Sequence, residues 1–400
     1  MATRSHHRWL LAPVLGTVLL AGGPSALAQQ ALPRHGDTNE LRLIKTLKEI
    51  TQKRLDTALS EVESLVEANP QFKLAQAIYA DLLLAKTHNG YHSVLSSKNE
   101  HVDDLLAEAK VRWRHFETHP PEKRIPNYLI QLEKEQRTAL VIDLSQSRLF
   151  VYANDDGQPR LRDDYYVSMG KNGPVKQVEG DKRTPVGVYF VTSYLPPEEL
   201  PSYYGEGAFP INYPNAWDRR LKKTGYGIWL HGNPFNTFSR PPRASDGCVT
   251  LSNPDLLKLK PEMDVGRTPV VITNGIEWAD PDTVATTRSE LKQALQDWLT
   301  DWESLDTDAY LAHYSPAFQS DDGDLGQWAR HKRLVNGRKQ FIDVDVDNLS
   351  IFRYPGMDDM LVVTFDQDYH SSNYDSQGKK RQYWRRSEDG TWRIVYEGSA

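Results

Sequence analysis

Apolar positions along this chain change their period from one region to the next. In LDTALSEVESLVEANPQFKLAQAIYADLLLA, Leu55, Leu59, Val62 and Val66 recur at helical spacing. Asn69-Pro70 breaks the run, and Leu74, Ile78, Leu82 and Ala85 form a second stripe. This predicts a helical region over residues 38 to about 116. Its helix–break–helix core is similar to one tetratricopeptide-type hairpin, and a small helical domain packed on its neighbour fits equally well. Residues 119–126, HPPEKRIP, read as a linker.

Over residues 138–274 the pattern becomes strand-like. TALVIDL and SRLFVYA are short β-rich runs parted by a turn, and VGVYFVTS, YGIWL and PVVIT follow. Gly170, Gly173, Gly180 and Gly187 punctuate long loops between them. Residues 275–287 read as a second linker, turning at Asp280-Pro281-Asp282. From 288 to 400 an amphipathic helix, SELKQALQDWLTDWESLD, puts Leu291, Leu295, Trp298, Leu299 and Trp302 near one face. YLAHYSPAF predicts a shorter helix and turn. Four alternating strands then follow in meander spacing, an α+β cone. Trp298, Trp302, Tyr310, Tyr314, Trp328, Trp384 and Trp392 fit its core better than a pocket lining. The fold class is multidomain α+β: a helical region, a β-rich domain and a C-terminal cone.

The first 28 residues have the layout of a secretory signal peptide. Arg4, His6, His7 and Arg8 are basic, an apolar run extends to about Gly22, and Ala26-Leu27-Ala28 is a small-x-small cleavage site. The run is short for a bilayer span of about 20 residues. An exported chain is expected, periplasmic in a Gram-negative cell. Net charge is −6 over 400 residues, which speaks against a nucleic-acid partner. Twelve histidines form no HExxH or HxH pair, and Cys248 is the single cysteine, so no metal, cofactor or disulfide is expected.

A lone thiol in an oxidising compartment is a liability unless used. Cys248 lies in Ser245-Asp246-Gly247-Cys248-Val249, and His231-Gly232 ends an apolar strand seventeen positions upstream. A buried free cysteine is usually inert, and a core histidine usually structural. Together they suggest a thiol nucleophile with a histidine base. The amides of Gly247 and Cys248 are natural oxyanion donors. A helix starting at Ser252-Asn253-Pro254-Asp255 is expected to lower the thiol pKa modestly.

These residues resemble the L,D-transpeptidase (YkuD-like) catalytic domain. That family's pattern is an upstream His-Gly, a loop, then Ser/Thr-His-Gly-Cys-hydrophobic, and it matches at His231, Gly232, Ser245, Gly247, Cys248 and Val249. TALVIDLSQSRLFVY looks like the family's opening hairpin, GDKRTPVGVYFV like its Thr-Pro-x-Gly strand and GRTPVVI like its closing strand. The resemblance implies Cys248 as nucleophile, His231 as general base and acid, and the Gly232 carbonyl as the orienting partner of His231. Ser245, Asp246 and Thr250 are candidate substrate contacts. The family's usual His two places before the cysteine is Asp246 here, which calls for a positive partner: His231, or the free ammonium of a substrate diaminoacid. The whole layout, with a cone similar to nuclear-transport-factor-2 (NTF2) domains at the C-terminus, also resembles cell-shape L,D-carboxypeptidases of helical bacteria.

The implied substrate is the peptidoglycan stem tetrapeptide. Cys248 takes the acyl group, D-Ala leaves, and an amine acceptor completes a transpeptidation. Water as acceptor would give a carboxypeptidase, and a non-catalytic wall-binding scaffold is the rival from another class. Protein partners are left open for the helical and NTF2-like regions.

Overall fold

The structure, a computed structural model, describes residues 38–87, 100–118 and 120–400; the expected signal peptide, residues 1–28, lies outside them. Four helices come first: α1 (Thr38–Thr51), α2 (Leu55–Ala68), α3 (Lys73–Lys86) and α4 (Glu100–Thr118). The Asn69-Pro70 break separates α2 from α3. The buried stripe of α2 is centred on Ala58, Val62 and Leu65, with Leu55, Leu59 and Val66 flanking it. The small Ala58 lets α2 approach its neighbours, which turns the face slightly from the one the larger residues predict.

Two short strands follow, β1 (Ile125–Pro126) and β2 (Leu129–Gln131). The β-rich region holds β3 (Thr138–Asp143), β4 (Arg148–Asp155), β5 (Gln158–Tyr166), β6 (Met169–Gly170), β7 (Gly187–Phe190) and β8 (Ala208–Pro210). After α5 (Ala216–Arg220) come β9 (Trp229–His231), β10 (Arg243–Ser245), β11 (Val249–Thr250), α6 (Asn253–Leu259), β12 (Pro269–Thr273) and β13 (Trp278–Ala279). The main sheet runs β5-β4-β3-β12-β7, and a three-stranded sheet runs β11-β9-β8. Every residue of β3 and of β12 is buried. Leu140, Ile142, Val270 and Ile272 face one core together with Leu230 and Val249; Ala139, Val141 and Val271 face another. Alternation on a sheet covered on both sides explains why TALVID and PVVIT read as continuous apolar runs.

The C-terminal region is α7 (Pro281–Glu303), α8 (Thr307–Ala312), β14 (Tyr314–Ser320), β15 (Gly323–Asp324), α9 (Leu325–Asn336), β16 (Ile342–Arg353), β17 (Met360–Ser371), β18 (Ser376–Arg386) and β19 (Trp392–Ser399). Strands β16 to β19 form the expected antiparallel meander, and the cone's large aromatics pack in one core. Both linkers carry structure instead: β1 pairs with β13, and α7 starts at Pro281. Proline suits the first helical position, so the Asp280-Pro281 turn signal was a helix start. Tyr314–Ser320 is a strand beside β19 rather than a turn.

Strand β2 crosses over to pair with β16 at the edge of the seven-stranded sheet. The core behind β3 also contains Phe352, Met360, Val362 and Tyr383, so the β5-β4-β3-β12-β7 sheet and the cone share one apolar seam.

Candidate active site

Strands β9 and β11 run parallel, with Leu230 opposite Val249 and His231 opposite Thr250. Leu230 and Val249 are fully buried and pin the pair to the core. Alternation then turns Trp229, His231, Cys248 and Thr250 to the opposite face. Two short strands thus set Thr250 opposite His231, with Cys248 immediately ahead of β11.

The Nδ1 of His231 lies 2.7 Å from the Gly232 carbonyl oxygen. A carbonyl only accepts, so Nδ1 carries the proton and Nε2 is the basic nitrogen. Burial lowers the His231 pKa to about 4, the Gly232 carbonyl opposing and Arg240 adding to the shift. Cys248 is half-buried, and its thiol donates to the Gly227 carbonyl at 3.4 Å. Burial pushes that thiol up to about 11; the Trp229 N–H, Arg240 and Lys176 oppose this, and Asp246 reinforces it. The expected lowering by the following helix is overruled. Helix α6 starts only at Asn253, beyond β11, and desolvation dominates. Burial thus favours the neutral form of both the Cys248 thiol and the His231 imidazole.

The nucleophile loop is held from within. Ser245 Oγ donates to the Cys248 carbonyl at 2.6 Å and accepts the Gly247 N–H at 3.1 Å. The Gly247 amide is therefore already engaged, which corrects its expected role as a free oxyanion donor. Ser245 is a buried brace and not an exposed substrate contact. Gly247 has φ +132°, and a Cβ there would lie 3.0 Å from the Arg183 carbonyl oxygen. Thr184, unremarked in the sequence beyond its Thr-Pro motif, is fully buried. It donates to the Gly247 carbonyl at 2.9 Å and accepts the Gly170 N–H at 2.9 Å. Thr250 is buried below the site, its hydroxyl without a hydrogen-bond partner among the described residues.

Helix α6 starts as the sequence predicts, with Ser252 as the cap accepting the Asp255 N–H and Asn253 as the first residue. Asn253 has a second role that the helix-start pattern does not announce: its Oδ1 accepts the N–H groups of Asn233 and Glu206, and its Nδ2 donates to the Asn233 carbonyl at 2.9 Å. Tyr204 stands edge-on to His231 at 4.8 Å and packs on Trp229 at 4.9 Å between ring centroids, a wall over the base.

Asp246 does not pair with His231, which is buried and already held by Gly232. Its side chain is 71% exposed and lies 3.4 Å from Lys171 Nζ and 3.9 Å from Lys182 Nζ. The loop carrying Arg240 is braced by the N-terminal helices: Phe238 packs on Phe72 at 4.5 Å, and Ser239 donates to Glu108 at 2.6 Å. Among the described residues no group of His, Cys, Asp and Glu could hold a metal ion.

A cysteine just ahead of β11 and a tautomer-locked histidine at the end of β9 fit a thiol nucleophile and its base. Residues 137–272 match the L,D-transpeptidase catalytic domain, YkuD, and residues 290–398 match the Cds6 C-terminal NTF2-like domain. The chain thus joins a YkuD L,D-transpeptidase catalytic domain to a C-terminal NTF2-like domain. Among solved structures it is similar to Bd1075 of Bdellovibrio bacteriovorus, at 28% identity and TM-score 0.61, over 69% of this chain and 98% of that one. It is also similar to the helical cell shape determining protein Pgp2 of Campylobacter jejuni, at 28% identity and TM-score 0.57, over 68% of this chain and 95% of that one. No curated protein sequence matches the chain. The matched catalytic domain makes it a cysteine-dependent peptidoglycan-modifying enzyme of the L,D-transpeptidase/carboxypeptidase type.

Proposed function

We propose that Cys248 attacks the stem tetrapeptide at the carbonyl joining its diaminoacid to the terminal D-Ala. A thioester forms and D-Ala leaves as the amine. The observation that carries this reading is the β9–β11 pairing, which sets Thr250, two residues past Cys248, opposite His231, with Nδ1 of His231 fixed on Gly232. Nε2 takes the thiol proton as sulfur attacks and gives it to the departing amine. A neutral pair suits this, because the proton moves only as the bond forms.

The acyl group then passes to an acceptor. Water as acceptor, which trims tetrapeptide to tripeptide, is the reading implied by the resemblance of the domain layout to cell-shape L,D-carboxypeptidases. The amine acceptor, which forms a cross-link, is the second reading and rests on the catalytic-domain match alone. The basic, apolar and small-residue layout of residues 1–28 supports export, so we assign the protein to the periplasm. Incubation with purified muropeptides followed by mass analysis tests the reading. Tripeptide plus free D-Ala indicates water, a dimer of cross-linked stems indicates an amine, and no change in any species contradicts both.

A further inference from the structure

The surroundings of Asp246 point to what the site selects. An exposed ion pair contributes little to stability, so the fold does not explain a carboxylate flanked by two lysines. The side chains are exposed, but their backbones are held in place. The Lys171 N–H donates to the Ser245 carbonyl at 2.8 Å, beside the nucleophile loop. The Lys182 carbonyl accepts the Asn172 N–H, and a Cβ on Gly170 would lie 2.4 Å from that same carbonyl oxygen. Lys182 itself holds φ +56°, a left-handed conformation that L side chains rarely adopt. Thr184, two residues on, bolts this segment to the Gly247 carbonyl. Three charged side chains therefore project from rigid backbone around the loop that carries Cys248, and all three are about half exposed or more.

The cluster carries two positive charges and one negative, placed next to one another. Its complement is a group with an ammonium and a carboxylate on one carbon. The free end of a diamino-dicarboxylic acid is such a group, whereas the side chain of lysine offers the ammonium alone. Resting on the acyl-transfer reading above, we propose that Asp246, Lys171 and Lys182 form a zwitterion receptor. Asp246 takes the ammonium and the two lysines take the carboxylate of the diamino-dicarboxylate residue whose other carbonyl is attacked. The present Asp246–Lys contacts are those the ligand replaces, so the lysines are held ready and Asp246 does not stay as a bare charge near the thiol.

The test compares two tetrapeptides, one with meso-diaminopimelate at the third position and one with L-lysine there. The measured quantity is the ratio of their kcat/KM values in D-Ala release. The native enzyme should favour the diaminopimelate peptide by roughly tenfold to a hundredfold, the scale of hydrogen bonds between charged groups. In the Lys171→Ala/Lys182→Ala double variant that ratio should collapse towards one. Asp246→Asn should lower kcat/KM for both peptides, because both present the ammonium. A native ratio near one, or a ratio the double variant leaves intact, overturns the receptor while D-Ala release stands. Absence of D-Ala release from either peptide by the native enzyme overturns the acyl-transfer reading and this inference with it. Matching thermal transitions would show that the surface variants are folded.

Discussion

The imidazole of His231 and the carbonyl of Gly232 are 2.7 Å apart, and this contact decides which ring nitrogen faces the chemistry. It is a contact between neighbours in sequence, so its geometry depends on what holds the Gly232–Asn233 backbone. That holder is Asn253, whose amide makes three hydrogen bonds to the Asn233 and Glu206 backbone.

A substitution at Gly232 tests this chain of support. A Cβ at Gly232 would lie 2.2 Å from Asn253 Oδ1, so Gly232→Ala must push the clamp or the carbonyl aside. Misplacing a catalytic group by about 1 Å costs on the order of a hundredfold in rate. The expected result is a fall in kcat of that order with KM little changed. Asn253→Ala should act the same way without adding bulk, and steady-state kinetics on a stem tetrapeptide measures both.

Protonation offers an independent check. The thiol is pushed up to about 11 and the imidazole down to about 4, so both are neutral across the middle of the pH range. Because only thiolate alkylates readily, modification of Cys248 by iodoacetamide should climb about tenfold per pH unit above neutrality. A preformed thiolate–imidazolium pair would give a plateau below neutrality instead. Turnover should hold level as pH falls from 7 and be lost only as His231 gains its proton near 4.

Much of this was legible in the sequence, for stated physical reasons. Cys248 and His231 stand out because thiol chemistry needs a base, and the strands β3, β4 and β12 because buried sheet needs unbroken apolar runs. Strand β5 was missed because its polar face, Arg160 to Asp164, meets solvent and the helical region, so no apolar alternation marks it. Helix α9 was missed although Asp324 and Gln327 form a capping box, since its exposed residues dilute the apolar stripe. The Ser245 brace and the Asn253 clamp are hydrogen bonds across the fold, and no spacing along the chain announces them. The partners of Asp246 were out of reach for the same reason: Lys171 and Lys182 both come from the long connection between β6 and β7, far from Asp246 in sequence.

The helical region is docked through charge, and this gives another prediction. Arg148 on β4 is 2% exposed; its Nη1 lies 2.7 Å from Glu40 on α1 and its Nε 2.7 Å from Asp164 on β5. His115 and Arg112 on α4 join the same network. Burial would raise the Glu40 pKa, but the Arg148 and Arg112 guanidiniums outweigh it and hold the carboxyl at about 2. A depressed carboxyl pKa contributes stability above the ordinary carboxylate range, and that contribution is lost as pH falls from about 4 towards 2. Arg148→Met should cost about 3–5 kcal/mol by leaving Glu40 and Asp164 buried without their guanidinium. It should also free the helices for limited proteolysis at neutral pH, which the native protein should resist; equal resistance would contradict the docking role.

The central claim is that Cys248 becomes acylated by the stem peptide as D-Ala leaves. Intact-protein mass spectrometry after rapid acid quench of a tetrapeptide reaction tests it most directly. The account predicts a mass increase equal to the tetrapeptide less D-Ala, carried on Cys248 and absent from the Cys248→Ser protein. His231→Ala should slow its appearance by roughly a hundredfold to ten-thousandfold, the range for one acid–base group. The same adduct on Cys248→Ser, or D-Ala release by that variant at the native rate, would contradict the account.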